Sequence, residues 1–161
     1  MITNYHARYY AYELSRVGGA GVDRLGRALF DACVDLNPHQ IEAALFALRS
    51  PLAKGVLLAD EVGLGKTIEA GLVIEELLLR HRARSVIIVC PPSLALKWRD
   101  EMREKFGLEF VIVDSARMVA DWCIYGLAAN PLRLHPRVIV SMAWLPGVRA
   151  QRLLREVLAD A

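Results

Sequence analysis

Apolar residues follow two alternating patterns along this chain. Short continuous apolar runs have the length of buried strands, and longer segments repeat apolar residues every three or four positions, as on one face of a helix. The predicted strands are 55–59, 85–90, 109–114 and 137–142, and the predicted helices that follow them are 68–82, 94–106, 116–127 and 148–158. Because strands and helices alternate, the pattern predicts an α/β fold with a parallel sheet and flanking helices.

The first part of the chain has a helical pattern of its own. Two helices are predicted over residues 5–16 and 22–34, separated by a glycine-rich break at residues 18–21. This break and the change of pattern predict a short N-terminal helical extension over residues 1–34, followed by an α/β domain over residues 35–161.

The composition supports a domain with a substantial core. The chain has 161 residues and an apolar fraction of 55%, above the usual fraction of about 45–50%, which favours strands buried on both faces. No apolar run approaches the roughly 20 residues of a membrane-spanning helix, and the N-terminus lacks the pattern of a signal peptide. We therefore expect a cytoplasmic protein with no membrane partner.

Charge and cysteine content add little specific chemistry. Twenty basic and 18 acidic residues give a net charge of +2, which is too balanced to indicate nucleic-acid binding by itself. Cys33, Cys90 and Cys123 are widely separated, so neither a disulfide framework nor a zinc site is predicted. We expect all three to be buried reduced thiols, and the four histidines have no ligand spacing.

The most specific chemistry lies between the first α/β strand and its helix, in the sequence Asp-Glu-Val-Gly-Leu-Gly-Lys-Thr at residues 60–67. The N-terminus of a helix has unpaired N–H groups and partial positive charge, so it attracts polyphosphate. Glycines at 63 and 65 let the backbone approach phosphate oxygens closely. Strand, glycine-rich turn and helix in this order predict a phosphate-binding loop.

Two side chains at the end of this loop suit a nucleoside triphosphate with magnesium. Lys66 can reach the β- and γ-phosphates, and the hydroxyl of Thr67 can bind Mg²⁺. Asp60 departs from the common pattern, which has a small residue at the first position of the loop.

Residues 60–71 resemble motif I of the SWI/SNF-type helicase-like ATPases of superfamily 2. In that family an acidic pair commonly replaces the small first residue, which accounts for Asp60, and Val62 with Glu69-Ala70-Gly71 is most similar to the bacterial branch typified by the RNA-polymerase-recycling ATPase. The resemblance implies a P-loop NTPase (RecA-like) lobe that binds ATP and Mg²⁺. On this likeness the nucleotide-binding residues are Asp60, Glu61, Gly63, Leu64, Gly65, Lys66 and Thr67.

Upstream of the loop, residues 36–40 (Leu-Asn-Pro-His-Gln) resemble the family element in which a glutamine reads the adenine edge. The resemblance makes Gln40 the candidate for adenine recognition. Asn37 and Pro38 have the pattern of a helix start, and a helix is predicted over residues 38–49. A glutamine on such a helix is otherwise most often a surface residue, and that alternative stays open.

Two segments downstream resemble the family motifs that contact a nucleic-acid backbone. Residues 87–94, followed by Trp98, are similar to motif Ia, and residues 138–142 are similar to motif Ib. The resemblance implies that Ser93 and Ser141 contact the backbone. From the pattern alone, Ser93 is also predicted to cap the helix 94–106, and Trp98 is interpreted as a core residue.

One part of the family's chemistry is missing from the sequence. Phosphoryl transfer needs a carboxylate on the magnesium and a group that orients water, and the family supplies both from an Asp-Glu box at the end of a later strand. No apolar strand after Lys66 ends in Asp-Glu. We therefore expect an incomplete lobe, truncated before the box, that binds nucleotide without hydrolysing it and contains no catalytic residue. A strand without its partners also predicts poor solubility or oligomers.

The resemblance implies that the parent protein is a DNA-dependent ATPase that translocates on duplex DNA and remodels protein–DNA complexes at the bacterial nucleoid. RNA polymerase or a phage-defence complex would be its partner. Two alternatives remain open at this point: a stand-alone, non-catalytic nucleotide-binding adapter or regulatory protein, and a small-molecule kinase.

Overall fold

The structure is a computed structural model that describes residues 37–49, 55–59, 61, 63 and 65–159. The predicted N-terminal extension at residues 1–34 lies outside the described residues. Backbone contacts divide the chain into two compact units, Met1–Leu79 and Arg80–Ala161.

Among the described residues of the first unit, two helices are in contact with each other, α1 (Pro38–Arg49) and α2 (Lys66–Leu79). The predicted helix at 38–49 is therefore confirmed, and the helix predicted at 68–82 begins two residues earlier and ends at Leu79. Ala44 and Leu72 are fully buried, and they supply apolar packing from the inner faces of the two helices.

The strand predicted at residues 55–59 is wrong. The segment has no regular secondary structure, and Leu57 is 83% exposed. An apolar run becomes a strand only when a neighbouring strand pairs with its backbone N–H and C=O groups. No such neighbour is found among the described residues, so apolar character alone does not specify the strand.

The second unit is built on a parallel sheet of three strands, β1 (Val86–Cys90), β2 (Val111–Val113) and β3 (Arg137–Ser141). Their order is β1-β3-β2, with β3 in the centre and paired in parallel with both neighbours. The strands predicted at 85–90 and 137–142 are confirmed, whereas β2 is shorter than the predicted 109–114. The parallel α/β architecture expected from the alternating pattern is confirmed.

Helices connect the strands. One turn of 3-10 helix (Pro92–Leu94) leads into α3 (Ala95–Phe106), and α4 (Ser115–Tyr125), the short α5 (Pro131–Leu134) and α6 (Val148–Leu158) follow. Gly107 ends α3 with a φ of +63° while its N–H donates to Arg103 and Met102, as a left-handed glycine C-cap does. The side chain of Asp114 caps α4 by accepting from Arg117 N at 2.7 Å.

The two faces of the sheet are covered by different helices. Val138 and Val140 of β3 pack with Met118 of α4 and Leu153 of α6 in one apolar cluster. Ile139 points to the opposite face because side chains alternate along a strand, and it is fully buried. We infer that α3, which contacts β2 and β3, covers that second face.

The cysteines differ in their surroundings. Cys90 at the end of β1 is buried, and this burial raises the pKa of its thiol. Cys123 on α4 is exposed, so the expectation of a buried thiol is wrong there, because its side chain lies on the outer surface of a helix of which only one face is buried. Cys33 lies outside the described residues. No helix in the described part of the chain is long and apolar enough to cross a membrane.

Candidate nucleotide-binding site

Two glycines in the candidate phosphate loop have a backbone conformation that side chains disfavour. The φ angles are +95° at Gly63 and +91° at Gly65, and residues with a β-carbon seldom adopt such angles. The sequence supplies glycine at both positions, so the chain can turn sharply into α2. Asp60, Val62 and Leu64 of the predicted loop lie outside the described residues.

The N-terminus of α2 faces the turn made by these glycines. Ile68 N and Glu69 N both donate to Gly65 O, at 2.7 and 3.2 Å, so the helical hydrogen bonding starts at Gly65. The N–H groups of the first residues, Lys66 and Thr67, therefore have no intrahelical acceptor. Together with the positive end of the helix dipole, they form a donor set suited to an anion.

Lys66 lies across the loop. Its Nζ donates to Glu61 O at 2.7 Å, and the side chain is half-buried. A carbonyl oxygen is a neutral acceptor, and a phosphate oxygen would form a stronger, charge-assisted bond with the same ammonium. The ammonium is thus held at the loop in a position from which an anionic acceptor can displace the carbonyl.

Gln40 on α1 is packed directly against this loop. Its side chain is only 2% exposed, and its Oε1 accepts from Asn37 N at 3.2 Å. This bond is half of a capping box, in which the side chain of the third helical residue satisfies the N–H of the N-cap residue. The alternative of a simple surface glutamine is therefore wrong.

The other end of the Gln40 carboxamide meets Gly65. A β-carbon built on Gly65 would collide with Gln40 Nε2, so the absence of a side chain at Gly65 is what admits the amide. The adenine-recognition candidate and the phosphate loop are thus in contact.

The described atoms suit a magnesium-bound polyphosphate. Backbone N–H groups, the ammonium of Lys66 and the hydroxyl of Thr67 supply two kinds of hydrogen-bond donor and one oxygen ligand for a metal. Glu61 is exposed, and Glu69 in the first turn of α2 is fully buried.

Ser93 and Ser141, the candidates for nucleic-acid contacts, belong to the second unit. Ser141 is the last residue of β3 and pairs in register with Cys90, and Ser93 follows Cys90 by three residues. Both serines therefore lie at the carboxyl edge of the sheet, where parallel α/β sheets commonly bind ligands. The Oγ of Ser141 accepts from Ala143 N at 3.1 Å, whereas Ser93 is exposed.

Ser93 does not cap α3, so this prediction is wrong. The 3-10 turn, closed by a bond from Leu94 N to Pro91 O at 3.0 Å, places Ser93 inside that turn. The helix therefore starts later, with Leu94 as an N-cap that makes no side-chain hydrogen bond.

The charged residues of α3 are internally paired. Lys97 and Lys105 both pair with Glu101, and Arg99 and Arg103 pair with Asp100. These pairs make the charged side of α3 a solvated helix face and not a basic patch.

A second concave feature was not predicted from the sequence. Trp122 on α4 and Arg149 and Arg152 on α6 line a cavity of about 270 Å³ in the second unit. The sequence carried one signal for it, the arginines at 149 and 152, which are three residues apart and therefore neighbours on one side of the helix.

Comparison with known proteins agrees with this geometry. Residues 39–122 match the family model described as the SNF2-related domain. The chain is 38% identical to the RNA polymerase-associated protein RapA of Serratia proteamaculans (strain 568) and 37% identical to that of Yersinia enterocolitica, in each case over 98% of this chain and 15% of the relative.

A solved structure shares the fold. The SWI2/SNF2 ATPase core of Sulfolobus solfataricus, solved in complex with double-stranded DNA, superimposes with a TM-score of 0.60 at 22% identity, over 71% of this chain and 23% of that chain. At this identity the likeness concerns the fold alone, a RecA-like lobe. The chain spans about 15% of the length of the curated relatives that it matches. Because the family model covers more than half of the chain, the protein belongs to the SNF2-related domain family of SWI/SNF-type ATPases.

Proposed function

We propose that this chain is the ATP-binding portion of a SNF2-type, helicase-like ATPase. The observation that carries the proposal is the pair of positive-φ glycines at 63 and 65, placed directly before the N-terminus of a helix that begins with Lys66. This arrangement offers backbone donors and one ammonium group to a polyphosphate. Membership of the SNF2 family supports nucleotide, with Mg²⁺, as the ligand.

Within this proposal each side chain has a defined task. The ammonium of Lys66 exchanges Glu61 O for phosphate oxygens, and the Thr67 hydroxyl binds Mg²⁺, which neutralises phosphate charge when bound. Asp60 and Glu61 begin the loop, and Leu64 lies between the two glycines.

Gln40 would recognise adenine through its carboxamide, which offers one donor and one acceptor to the base edge. In the structure that oxygen accepts from Asn37 N. We expect adenine to draw the carboxamide away from Asn37.

Hydrolysis is expected to need groups beyond these. Carboxylates are needed to orient the attacking water and to supply a second protein ligand to magnesium. The sequence has no Asp-Glu box after Lys66 that could provide them. We propose that the 161 residues bind nucleotide and that ATP turnover belongs to the longer protein. The alternative of a stand-alone adapter makes the same prediction for binding, whereas family membership decides against a small-molecule kinase.

For the longer protein we propose translocation on duplex DNA with remodelling of protein–DNA complexes. The similar Sulfolobus core was solved with double-stranded DNA, and Ser93 and Ser141 share the carboxyl edge of the sheet, where they would contact the DNA backbone. The name of the curated relatives favours RNA polymerase over a phage-defence complex as the partner. The domain boundaries at residues 1–34 and 35–161, and a cytoplasmic location at the nucleoid, belong to the same proposal.

Calorimetric titration with ATP and magnesium tests the nucleotide site. Lys66→Ala removes a charge-assisted contact, so we expect the binding free energy to fall by more than about 2 kcal/mol. Lys97→Ala, on the solvated face of α3, is the matched control and should leave affinity unchanged. Equal ATP affinity of the Lys66→Ala variant and the unaltered chain would contradict the proposed role.

A further inference from the structure

The second unit contains a cavity of about 270 Å³ between the end of α4 and the outer side of α6. Trp122 forms one wall, with its indole Nε1 donating to Ala129 O at 3.0 Å. The guanidinium carbon of Arg149 lies 4.7 Å from the centre of the indole ring, within the range of a cation–π contact. Both side chains are therefore held in place before any ligand arrives.

The short turn that carries Ala129 is also well defined. Gly126 has a φ of +89°, its N–H donates to Trp122 O at 2.9 Å, and Ala129 N donates back to Gly126 O at 3.0 Å. The turn brings Leu127, which lines the cavity, to a position where its side chain is 87% exposed. Such exposure of a large apolar side chain beside a cavity is typical of an interaction surface.

The rim of the cavity carries an excess of positive charge. Arg149 and Arg152 of α6 line the cavity, and Glu156 is the acidic residue among the lining side chains. The carboxylate of Glu156 is already used, since it accepts from Arg152 Nε at 3.1 Å and from Asn130 Nδ2 at 3.1 Å. Arg149 makes no ion pair with any acidic side chain that the structure describes.

Two further apolar side chains are exposed at the end of α4, since Ile124 is 71% exposed and Tyr125 is 60% exposed. The cavity itself combines a preformed Trp–Arg wall, the exposed apolar side chain of Leu127 and one lining arginine, Arg149, that lacks an acidic partner among the described residues. Tryptophan and arginine are among the residues that carry most binding energy at protein–protein interfaces.

We propose that this surface, formed by α4, α6 and the turn between Gly126 and Ala129, docks an acidic segment of a partner protein. One large apolar side chain of the segment fills the cavity beside Trp122 and Leu127. A carboxylate beside that anchor pairs with Arg149.

The size of the cavity and the composition of the surface select this occupant. Small-molecule sites usually have about 300–1,000 Å³, so a cavity of about 270 Å³ suits one side chain better than a whole cofactor. Nucleic-acid surfaces bind phosphates with cations and polar groups, to which the exposed side chain of Leu127 contributes nothing. Charge complementarity to the arginines selects an acidic segment.

The test measures fluorescence anisotropy of a labelled acidic peptide, composed of aspartate, glutamate and leucine with one central tryptophan, as the 161-residue chain is added. A peptide with alanine in place of the tryptophan and a peptide with lysine in place of the acids are the ligand controls. Labelled duplex DNA is the nucleic-acid arm. Arg149→Glu and Leu127→Ser change exposed side chains, whereas Arg103→Glu on α3 is a matched charge reversal on the opposite side of the sheet.

We expect the acidic tryptophan peptide to bind with a strong salt dependence, and Arg149→Glu and Leu127→Ser each to weaken binding about tenfold or more. Arg103→Glu should leave it unchanged, and so should Lys66→Ala, because neither residue lines the cavity. Three results would each overturn the proposal. They are no saturable binding of the peptide below about 1 mM, equal effects of Arg149→Glu and Arg103→Glu, and DNA binding that depends on Arg149 in the absence of peptide binding.

Discussion

Replacement of Gly65 by alanine separates two reasons for glycine in the phosphate loop. Gly63 and Gly65 have nearly the same positive φ, +95° and +91°, so a β-carbon at either position meets a similar backbone penalty. Their surroundings differ, because nothing lies within 4 Å of a β-carbon built at Gly63, whereas a β-carbon at Gly65 collides with Gln40 Nε2. Gly63→Ala is therefore a matched control for Gly65→Ala.

The expected magnitude follows from the two contributions. The left-handed backbone costs about 1–2 kcal/mol for a residue with a β-carbon, and both variants carry this cost. Gly65→Ala must also displace the Gln40 carboxamide, which is 2% exposed and accepts from Asn37 N. Loss of a hydrogen bond with a buried polar group left unpaired costs about 1–3 kcal/mol. We therefore expect Gly65→Ala to destabilise the first unit by about 1–3 kcal/mol more than Gly63→Ala.

Hydrogen exchange read by mass spectrometry is the appropriate assay, since Trp98, Trp122 and Trp144 all lie in the second unit and their fluorescence would not report on α1. Peptides that cover α1 and the start of α2 should lose protection in Gly65→Ala and keep more of it in Gly63→Ala. In a Gln40→Ala background the collision disappears. The additional effect of Gly65→Ala should then vanish, which is a double-mutant cycle for the contact between Gln40 and Gly65.

Two outcomes would refute this reasoning. Equal loss of protection in Gly63→Ala and Gly65→Ala would show that only the backbone angle matters. An additional effect of Gly65→Ala that persists in the Gln40→Ala background would show that the β-carbon meets something other than the carboxamide.

Three further predictions concern the second unit. Asn130→Ala loses bonds to Leu132 N and Leu153 O as well as to Glu156, so the free energy of unfolding in urea should fall by about 2 kcal/mol or more. Alkylation followed by peptide mapping should modify exposed Cys123 quickly and Cys90 slowly, because burial of Cys90 disfavours its thiolate. Hydrogen bonds from Arg152 and, to a smaller extent, from Asn130 lower the pKa of Glu156. Ionised Glu156 therefore stabilises the fold above the ordinary glutamate pKa, and this stabilisation is lost as pH falls through the lowered value. Thermal melting curves recorded at acid pH should therefore differ between the unaltered chain and Glu156→Gln.

The sequence predicted those elements whose local signals and tertiary environment agree. The continuous apolar runs at Val86–Cys90 and Arg137–Ser141 are strands that pair with each other, and Gly107 ends α3 as its position indicates. The run at 55–59 has equal apolar character but no paired strand among the described residues, so periodicity alone was misleading there. A strand is specified by its neighbours as much as by its own residues.

The candidate site was predictable only where local sequence signals determine its geometry. Glycine positions in the loop follow from the backbone that a phosphate loop requires, and the structure has positive φ at both. The contact between Gln40 and Gly65 could not be predicted, because the residues are separated by 24 positions and meet only through packing of α1 against α2. The cavity beside Trp122 could not be predicted for the same reason, since it forms between residues of two helices that are distant in sequence.

The contact between Gln40 and Gly65 links the two halves of the proposed nucleotide site. The oxygen of the carboxamide accepts from Asn37 N and its nitrogen lies against Gly65, so we expect adenine to draw the side chain away from these contacts. If adenine draws the carboxamide away, the space at Gly65 opens at the point where α2 presents its N–H groups to phosphate. The Gln40 carboxamide thereby couples recognition of the base to the conformational freedom of the phosphate loop. A polyphosphate without a base would not draw this carboxamide away from Gly65. Loss of Gln40 should therefore reduce the difference in affinity between ATP and inorganic triphosphate, whereas loss of Lys66 should weaken both ligands.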